Sequence, residues 1–366
     1  MWNKTKASSV LGIEYPILLG PFGGNLSTVA LTAIVSNAGG LGGYGAYTLS
    51  PEEIIEADRQ IRAATDKSYN LNLWVCDTDV PASGLPDEKY QLTKQIFKPY
   101  FDELNVEFPS KVPTFHSRYL NQVQVVLDLK PRAFSFMFGI PSQDILEQCR
   151  KRGIKLIGAA TTLDEAIALD DAGVDLIIAS GFEAGGHRPS FLASAESSVT
   201  GTFVLLQLIT QKIKTPVIAA GGIADGKGIA AALTLGASAV QIGTAFLACE
   251  ESNAPAAHRE LLFSEAAKYT TLTRAFTGRL GRGLANRISK EMVGKENHLL
   301  PFPLQSQMMS SLRKVALEKQ QWEMILFWSG QIAPILRNRK ASDLMQSLIS
   351  ETNTWFTGIK NLNESR

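Results

Sequence analysis

A chain of 366 residues is long enough for one large domain or two ordinary ones, with a core able to enclose a cofactor-sized cavity. Its 36 Lys and Arg against 35 Asp and Glu give no electrostatic argument for nucleic acid or an anionic membrane surface, so a small molecule is the expected ligand. Three widely spaced cysteines, Cys76, Cys149 and Cys249, suit neither a disulfide framework nor a metal cluster, and with no signal-peptide core in Met1 to Val10 and no bilayer-length apolar run, a cytoplasmic setting without membrane association is expected.

Along the chain, short β-rich apolar runs punctuated by glycine alternate with helical segments, the pattern of parallel βα units. Eight runs are predicted as strands: Tyr15 to Gly20, Gly40 to Tyr44, Tyr69 to Val75, Ala133 to Phe138, Ile154 to Ala159, Val174 to Ser180, Pro216 to Gly221 and Ala239 to Gly243. Eight is the number that closes a barrel, so the expected fold is α/β, a (β/α)8 TIM barrel. Helices are predicted over Thr28 to Ser36, Pro51 to Ala64, Ser142 to Arg152, Leu163 to Ala172, Thr202 to Ile213 and Lys227 to Leu235. Ser50 stands before Pro51 as a cap, and Thr162 with Glu165 three positions on resembles a capping box.

Two regions exceed a plain barrel. An insertion after the third strand, Cys76 to Arg132, is rich in charge and aromatics and broken by Pro81, Pro86, Pro99, Pro109 and Pro113. The C-terminal extension reads as helical, with Trp322, Trp328 and Trp355 available for packing. The expected division is a barrel from 1–75 and 131–290, with 76–130 and 291–366 as a largely helical region that covers the barrel mouth or supports an oligomer; a homodimer is left open.

In this fold the site lies at the carboxyl ends of the strands. After the seventh and eighth strands stand Ile218-Ala-Ala-Gly-Gly-Ile-Ala-Asp-Gly and Val240-Gln-Ile-Gly-Thr-Ala-Phe. One glycine there suits a mere turn; the two loops together, with Gly221, Gly222 and Gly243 bare of side chains beside helix starts, point to a phosphate. After the sixth strand, Ser180-Gly-Phe-Glu-Ala-Gly-Gly-His-Arg presents His187, an imidazole able to act as a base near neutral pH, behind Gly185 and Gly186. His116, in the insertion, is a weaker candidate for the mouth; His258 and His298 read as surface residues. Near the front of the barrel Gly20 and Phe22 follow the first strand, and Asn70 and Asn72 alternate to one side of the third, where one or both can meet a heterocycle or simply satisfy buried backbone groups. No paired-cysteine zinc signature, P-loop or nucleophile elbow occurs.

These segments, in this order, resemble class I nitronate monooxygenases, the 2-nitropropane dioxygenase family, across nearly the whole chain. The resemblance is carried by Asn37-Ala-Gly-Gly-Leu-Gly, Asn70-Leu-Asn-Leu, Gly181-Phe-Glu-Ala-Gly-Gly-His-Arg, Ala219-Ala-Gly-Gly-Ile-Ala-Asp-Gly, Gly236-Ala-Ser-Ala-Val-Gln-Ile-Gly-Thr-Ala-Phe and Gly278-Arg-Leu-Gly-Arg-Gly-Leu-Ala-Asn-Arg. It implies an FMN-dependent oxidoreductase that converts alkyl nitronates, with O2, to a carbonyl compound and nitrite. His187 is then the catalytic base, needed where a neutral nitroalkane still carries its α-proton. The cofactor-binding set implied is Gly20, Phe22, Asn72, Ala160, Ser180, Gly185, Gly186, Gly221, Gly222, Gln241, Gly243 and Thr244, with no metal. The chain departs from the family pattern at Phe22, Ser180 and Met137, where methionine, glutamine and histidine are common. The competing enzyme is a flavin-type enoyl-acyl-carrier-protein reductase using NAD(P)H; a non-catalytic flavin-binding protein is a third reading, under which His187 has no role.

Overall fold

The computed structural model describes residues 1–75, 85, 87–111 and 117–364. Its strands are β1 (Ile17–Leu19), β2 (Gly42–Gly45), β3 (Tyr69–Trp74), β4 (Ala133–Met137), β5 (Lys155–Ala160), β6 (Leu176–Ser180), β7 (Gly186–His187), β8 (Val217–Ala220), β9 (Ala239–Ile242), β10 (Thr270–Thr273) and β11 (Gly281–Leu284). Eight of these are parallel, in the order β1-β9-β8-β6-β5-β4-β3-β2, and each lies within two residues of its predicted bounds. A parallel bridge from Leu18 to Leu41, with Leu19 N–H on the Leu41 carbonyl at 2.9 Å and Leu41 N–H on the Ile17 carbonyl at 2.9 Å, joins the two ends of the sheet. The protein is a (β/α)8 TIM barrel. A second, antiparallel sheet, β10-β11-β7, was not anticipated because β7 is only two residues long and has no pattern to read.

Alternation along each strand sends side chains to two cores. Outward residues such as Ile17, Leu19, Phe134, Phe136 and Val240 pack against the helices. Inward residues such as Leu18, Ile157, Ile178 and Ile218 fill the barrel, and the helix Lys6–Leu11 closes its amino end with Ala7 and Leu11. That helix starts in a Thr5/Ser8 capping box and stops at Gly12, whose φ of 67° suits glycine. Arg132 ties it down through the Val10 and Leu11 carbonyls.

The capping readings are answered differently by the two sites. Ser50 and Glu53 form a full box ahead of Pro51. Thr162 Oγ1 accepts from Glu165 N–H, but the Glu165 carboxylate does not return the bond. It is buried and takes four donors instead, Thr161 N–H and Oγ1–H at 2.7 Å each, and the Phe191 and Leu192 amides at 2.6 and 3.1 Å. Four converging donors outweigh one cap bond, and the carboxylate thereby ties the loop beyond β7 to the end of β5.

A third apolar body joins the helix Asp87–Glu103, through Tyr90, Phe97 and Phe101, to the helix Leu304–Glu318, through Leu304, Met308 and Leu312. Leu262, Leu284 and Ile288 share this body, so it recruits chain from before residue 291 as well. Two helices of the flanking segments belong with the barrel instead. Tyr119–Leu129 buries Tyr119, Val123, Val126 and Leu127 against the barrel layer beside β3. Ala341–Glu364 packs between the helices Gly226–Thr234 and Val29–Asn37 and supplies the eighth helix of the ring.

That last contact is close. Gly226 donates its N–H to Glu351 Oε2 at 3.0 Å, and a Cβ placed on it stands 2.4 Å from Glu351 Cβ and 2.6 Å from the Thr352 nitrogen. Gly226→Val is expected to destabilise the protein by about 1–3 kcal/mol, since backbone atoms block relief. An unchanged urea midpoint would show that the helix does not seat there.

Candidate active site

The carboxyl ends of the barrel strands open into a cavity of about 1110 Å³. Of the thirteen site residues named from sequence, twelve line it: Gly20, Phe22, Asn72, Ser180, Gly185, Gly186, His187, Gly221, Gly222, Gln241, Gly243 and Thr244. Ala160 does not. It points outward into the helix-facing layer, and its neighbour Ala159 forms the wall, a shift of one residue that reverses the face. His116 lies outside the described residues.

The loop after β6 has a separate task for almost every residue. Glu183 reaches the start of the helix Thr202–Lys212, accepting from Thr202 N–H at 2.8 Å and from its Oγ1–H at 2.9 Å, where the preceding Gly201 has no side chain to cap with. Gly185 lets a later segment pass: an added Cβ would stand 2.5 Å from the Gly330 nitrogen. Gly186 turns at φ 82°, and His187 then pairs with Gly281 of β11. Arg188 is buried and donates to the carbonyls of Gly181 and Ser198. Burial pulls its pKa down to about 10, and the neighbouring Arg282 adds to the shift.

Across the cavity the glycine loops offer bare backbone. The nearest atom to a Cβ on Gly243 would be Phe22 Cε1 at 4.0 Å, and on Gly222 the Glu183 Cβ at 3.7 Å, so a Cβ at either would meet nothing closer than ordinary van der Waals contact. Asp225, at the end of the first loop, caps the helix Gly226–Thr234 through Gly228 N–H at 2.8 Å. Thr244 Oγ1 accepts from Gly330 N–H at 2.8 Å, which ties the second loop to the C-terminal region. Asn70 and Asn72 do share a side, and both donate to Ser135 Oγ, at 2.8 and 2.9 Å. Only Asn72 reaches the cavity, where its Oδ1 is left as an acceptor; Asn70 lies outside the lining.

His187 sits among aromatic rings. Trp328 is 4.7 Å away centroid to centroid, Trp74 5.3 Å and edge-on, Phe302 6.2 Å and Phe138 6.3 Å. Burial pushes its pKa down to about 3, helped by the Arg279 guanidinium, so the imidazole is neutral at pH 7. Nε2 lies 2.8 Å from Thr277 Oγ1. The Arg279 guanidinium lies over the Phe138 ring at 3.9 Å.

Sequence reasoning missed much of this enclosure. Trp74 closes a predicted strand, and Thr277, Phe302, Trp328 and Gly330 come from 90 or more residues beyond the loop they meet. Three of the chain's five tryptophans, Trp322, Trp328 and Trp355, fall in the extension and were the signal available; they name no partner. His258 is a correction. It is 2% exposed, with Nε2 2.8 Å from the Trp328 carbonyl and its ring stacked on Phe327, because the extension folds over it. His298 is exposed as expected.

With this geometry in hand, the comparisons are specific. The profile of the family described as nitronate monooxygenase matches residues 4–351. A probable nitronate monooxygenase of Staphylococcus aureus strain Newman is 36% identical over 360 residues, 96% of this chain and 98% of the relative. The structure of a nitroalkane oxidase from Streptomyces ansochromogenes superposes with a TM-score of 0.89 at 30% identity, covering 97% of this chain and all of that one, 100%. FabK from Thermotoga maritima superposes with a TM-score of 0.75 at 28% identity, over 98% and 99% of the two chains.

The two enclosed imidazoles make stability depend on pH. Burial lowers the His258 pKa to about 4, against the Trp328 carbonyl that favours its charged form. An unfolded histidine titrates near 6.5, so between that value and 3 to 4 the unfolded chain binds more protons than the folded one. These groups therefore cost nothing above about pH 7, and stability falls as pH drops below about 6.5, by roughly 1.4 kcal/mol per pH unit for each imidazole. Urea midpoints measured from about pH 7.5 to 5.0 should decline, and His258→Gln should remove about one proton from the slope. A slope identical to wild type would place His258 in solvent.

Proposed function

The chain belongs to the nitronate monooxygenase family of oxidoreductases, and from that premise we propose that it oxidises alkyl nitronates with FMN and O2 to a carbonyl compound and nitrite. The observation that carries this reading is one cavity holding both a neutral, caged imidazole and two bare glycine loops at the ends of β8 and β9.

The residues present fit a flavin mononucleotide. The volume exceeds the roughly 300–1,000 Å³ of an ordinary small-molecule site, leaving room for a cofactor and a second ligand. Gly222, Gly243 and Thr244 would hold the phosphate by backbone N–H groups, in a cradle that a Cβ would fill. Asn72, Ser180 and Gln241 would meet the polar edge of the ring system, with Gly20, Gly185, Gly186 and Gly221 giving close backbone approach. Bound there, FMN supplies an electron acceptor for the substrate carbon and a route for those electrons to O2.

The protein's own contribution is the proton and the enclosure. His187 would take the α-proton of a neutral nitroalkane; a preformed nitronate has none to give. Trp74, Phe302 and Trp328 keep water from that transfer. Met309, from the third apolar body, and Phe302, which packs with the barrel's helix-facing layer, both line the cavity, and we assign the region beyond the barrel the part of lid and support.

Two substitutions test the reading. Gly243 has φ −101°, open to any residue, so Gly243→Leu should fold normally by circular dichroism yet lose the yellow cofactor that wild type releases as FMN on denaturation. His187→Asn should keep FMN and lose about 10²–10⁴-fold of turnover on a neutral nitroalkane, with a much smaller loss on its nitronate. Equal losses on both would give His187 a binding role only. Anaerobic bleaching by NADH and not by ethylnitronate would replace the reading with the reductase one, and native protein that cannot be reconstituted with FMN would sink both.

A further inference from the structure

We propose that Thr277 is a positioning residue that fixes His187 in one tautomer, with the proton on Nε2 and the lone pair of Nδ1 facing the cavity to receive the substrate proton. The inference rests on the base role proposed for His187.

A hydroxyl has one hydrogen to give and two lone pairs to accept with. Thr277 Oγ1 directs its hydrogen to the Arg279 carbonyl at 3.0 Å. One lone pair takes the Arg279 N–H at 3.3 Å. The remaining contact is His187 Nε2 at 2.8 Å, and the only role left to the hydroxyl there is to accept. With the hydroxyl hydrogen committed to the Arg279 carbonyl, Nε2 supplies the one in the His187–Thr277 contact. In a neutral imidazole the other nitrogen is then unprotonated; the side-chain hydrogen bond of His187 to the described residues runs through Nε2, and its ring lines the cavity, which leaves Nδ1 for a substrate. The reverse assignment would put the hydrogen on Nδ1, turn His187 into a donor toward substrate and draw the Thr277 hydrogen away from the Arg279 carbonyl.

The hydroxyl is held in place independently of the histidine. Gly278 N–H closes a turn on the Arg274 carbonyl at 2.8 Å, and the Arg274 guanidinium returns to the Gly278 carbonyl at 2.9 Å while pairing with Glu196. Gly278 has φ 86°, and a Cβ on it would stand 2.4 Å from the Phe302 nitrogen, so this turn is wedged against the cage wall. The imidazole is held from its own side by the pairing of His187 with Gly281. Two separately anchored backbones thus set one 2.8 Å contact.

The test uses the full-length, FMN-loaded protein labelled with 15N-histidine, the His187 resonances being identified by their loss in His187→Asn. At pH 7 the expected pattern is a pyrrole-type Nε2 and a pyridine-type Nδ1; the reverse pattern overturns the proposal. In turnover, Thr277→Val should lower kcat on a neutral nitroalkane on the order of 10²-fold, with KM little changed and a far smaller loss on the preformed nitronate. Thr277→Ser, which keeps the hydroxyl, should restore most of it. If His187→Asn loses neutral-substrate activity but Thr277→Val does not, the positioning role fails and the base reading stands. If His187→Asn itself keeps that activity, the base reading fails and this inference with it. Because the tautomer is read on wild type, a Thr277 variant that does not fold leaves the question decidable.

Discussion

A closed parallel barrel buries each strand on both faces, so each position around it needs a helix, and that requirement organises this chain. After β9 the polypeptide makes only the four-residue helix Thr244–Leu247 and departs. The eighth place is filled about a hundred residues later by Ala341–Glu364, seated so closely on Gly226 that no side chain fits between. Everything from Cys249 to Lys340 is therefore an excursion anchored at both ends on the same rim. It starts at the carboxyl end of β9, where the cavity opens, and must cross that face to return. The route explains why Thr277, Phe302 and Trp328 meet a histidine from the loop after β6.

Enclosure has an electrostatic consequence. Rings on several sides of His187 remove the water that would stabilise its cation, and Arg279 adds repulsion, so the proton is lost well below the ordinary range. The imidazole is then always available in its accepting form, though as a weaker base than a solvated one. The same cover buries His258 under Trp328 and lowers it for the same first reason. Acid sensitivity of the fold and readiness of the site follow from one layer of aromatic packing.

What could be read from the sequence divides along the range of the interactions. The eight strands and most helices are local: period, glycine punctuation and caps such as Ser50 declare them within a dozen residues. The cavity-lining loops were legible for the same reason, since strand ends carry the site in this fold. Ala160 failed by one residue because alternation fixes which of two neighbours faces inward only once the register is known. Glu165 looked like half of a capping box, and its actual four donors come partly from Phe191 and Leu192, beyond any local pattern. The partners of His187 and the burial of His258 depend on a chain reversal of about a hundred residues, and no periodicity in the intervening sequence encodes it.

The charges around the cavity favour an anion. Among the described residues lining it, Glu183 is the one carboxylate, and its oxygens are occupied by the Thr202 amide and hydroxyl at the start of a helix. Arg118, Arg313 and Lys314 also line it, with their side chains open to solvent. Three cations against one carboxylate whose oxygens are already engaged raise the local concentration of negatively charged ligands at the cavity. A nitronate and a phosphate monoester are both such ligands, whereas a neutral nitroalkane gains nothing from this field until its α-proton has been removed. On the proposed reading this field would favour the anionic product of the step given to His187 over its neutral reactant, and so would offset the basicity that burial takes from the imidazole.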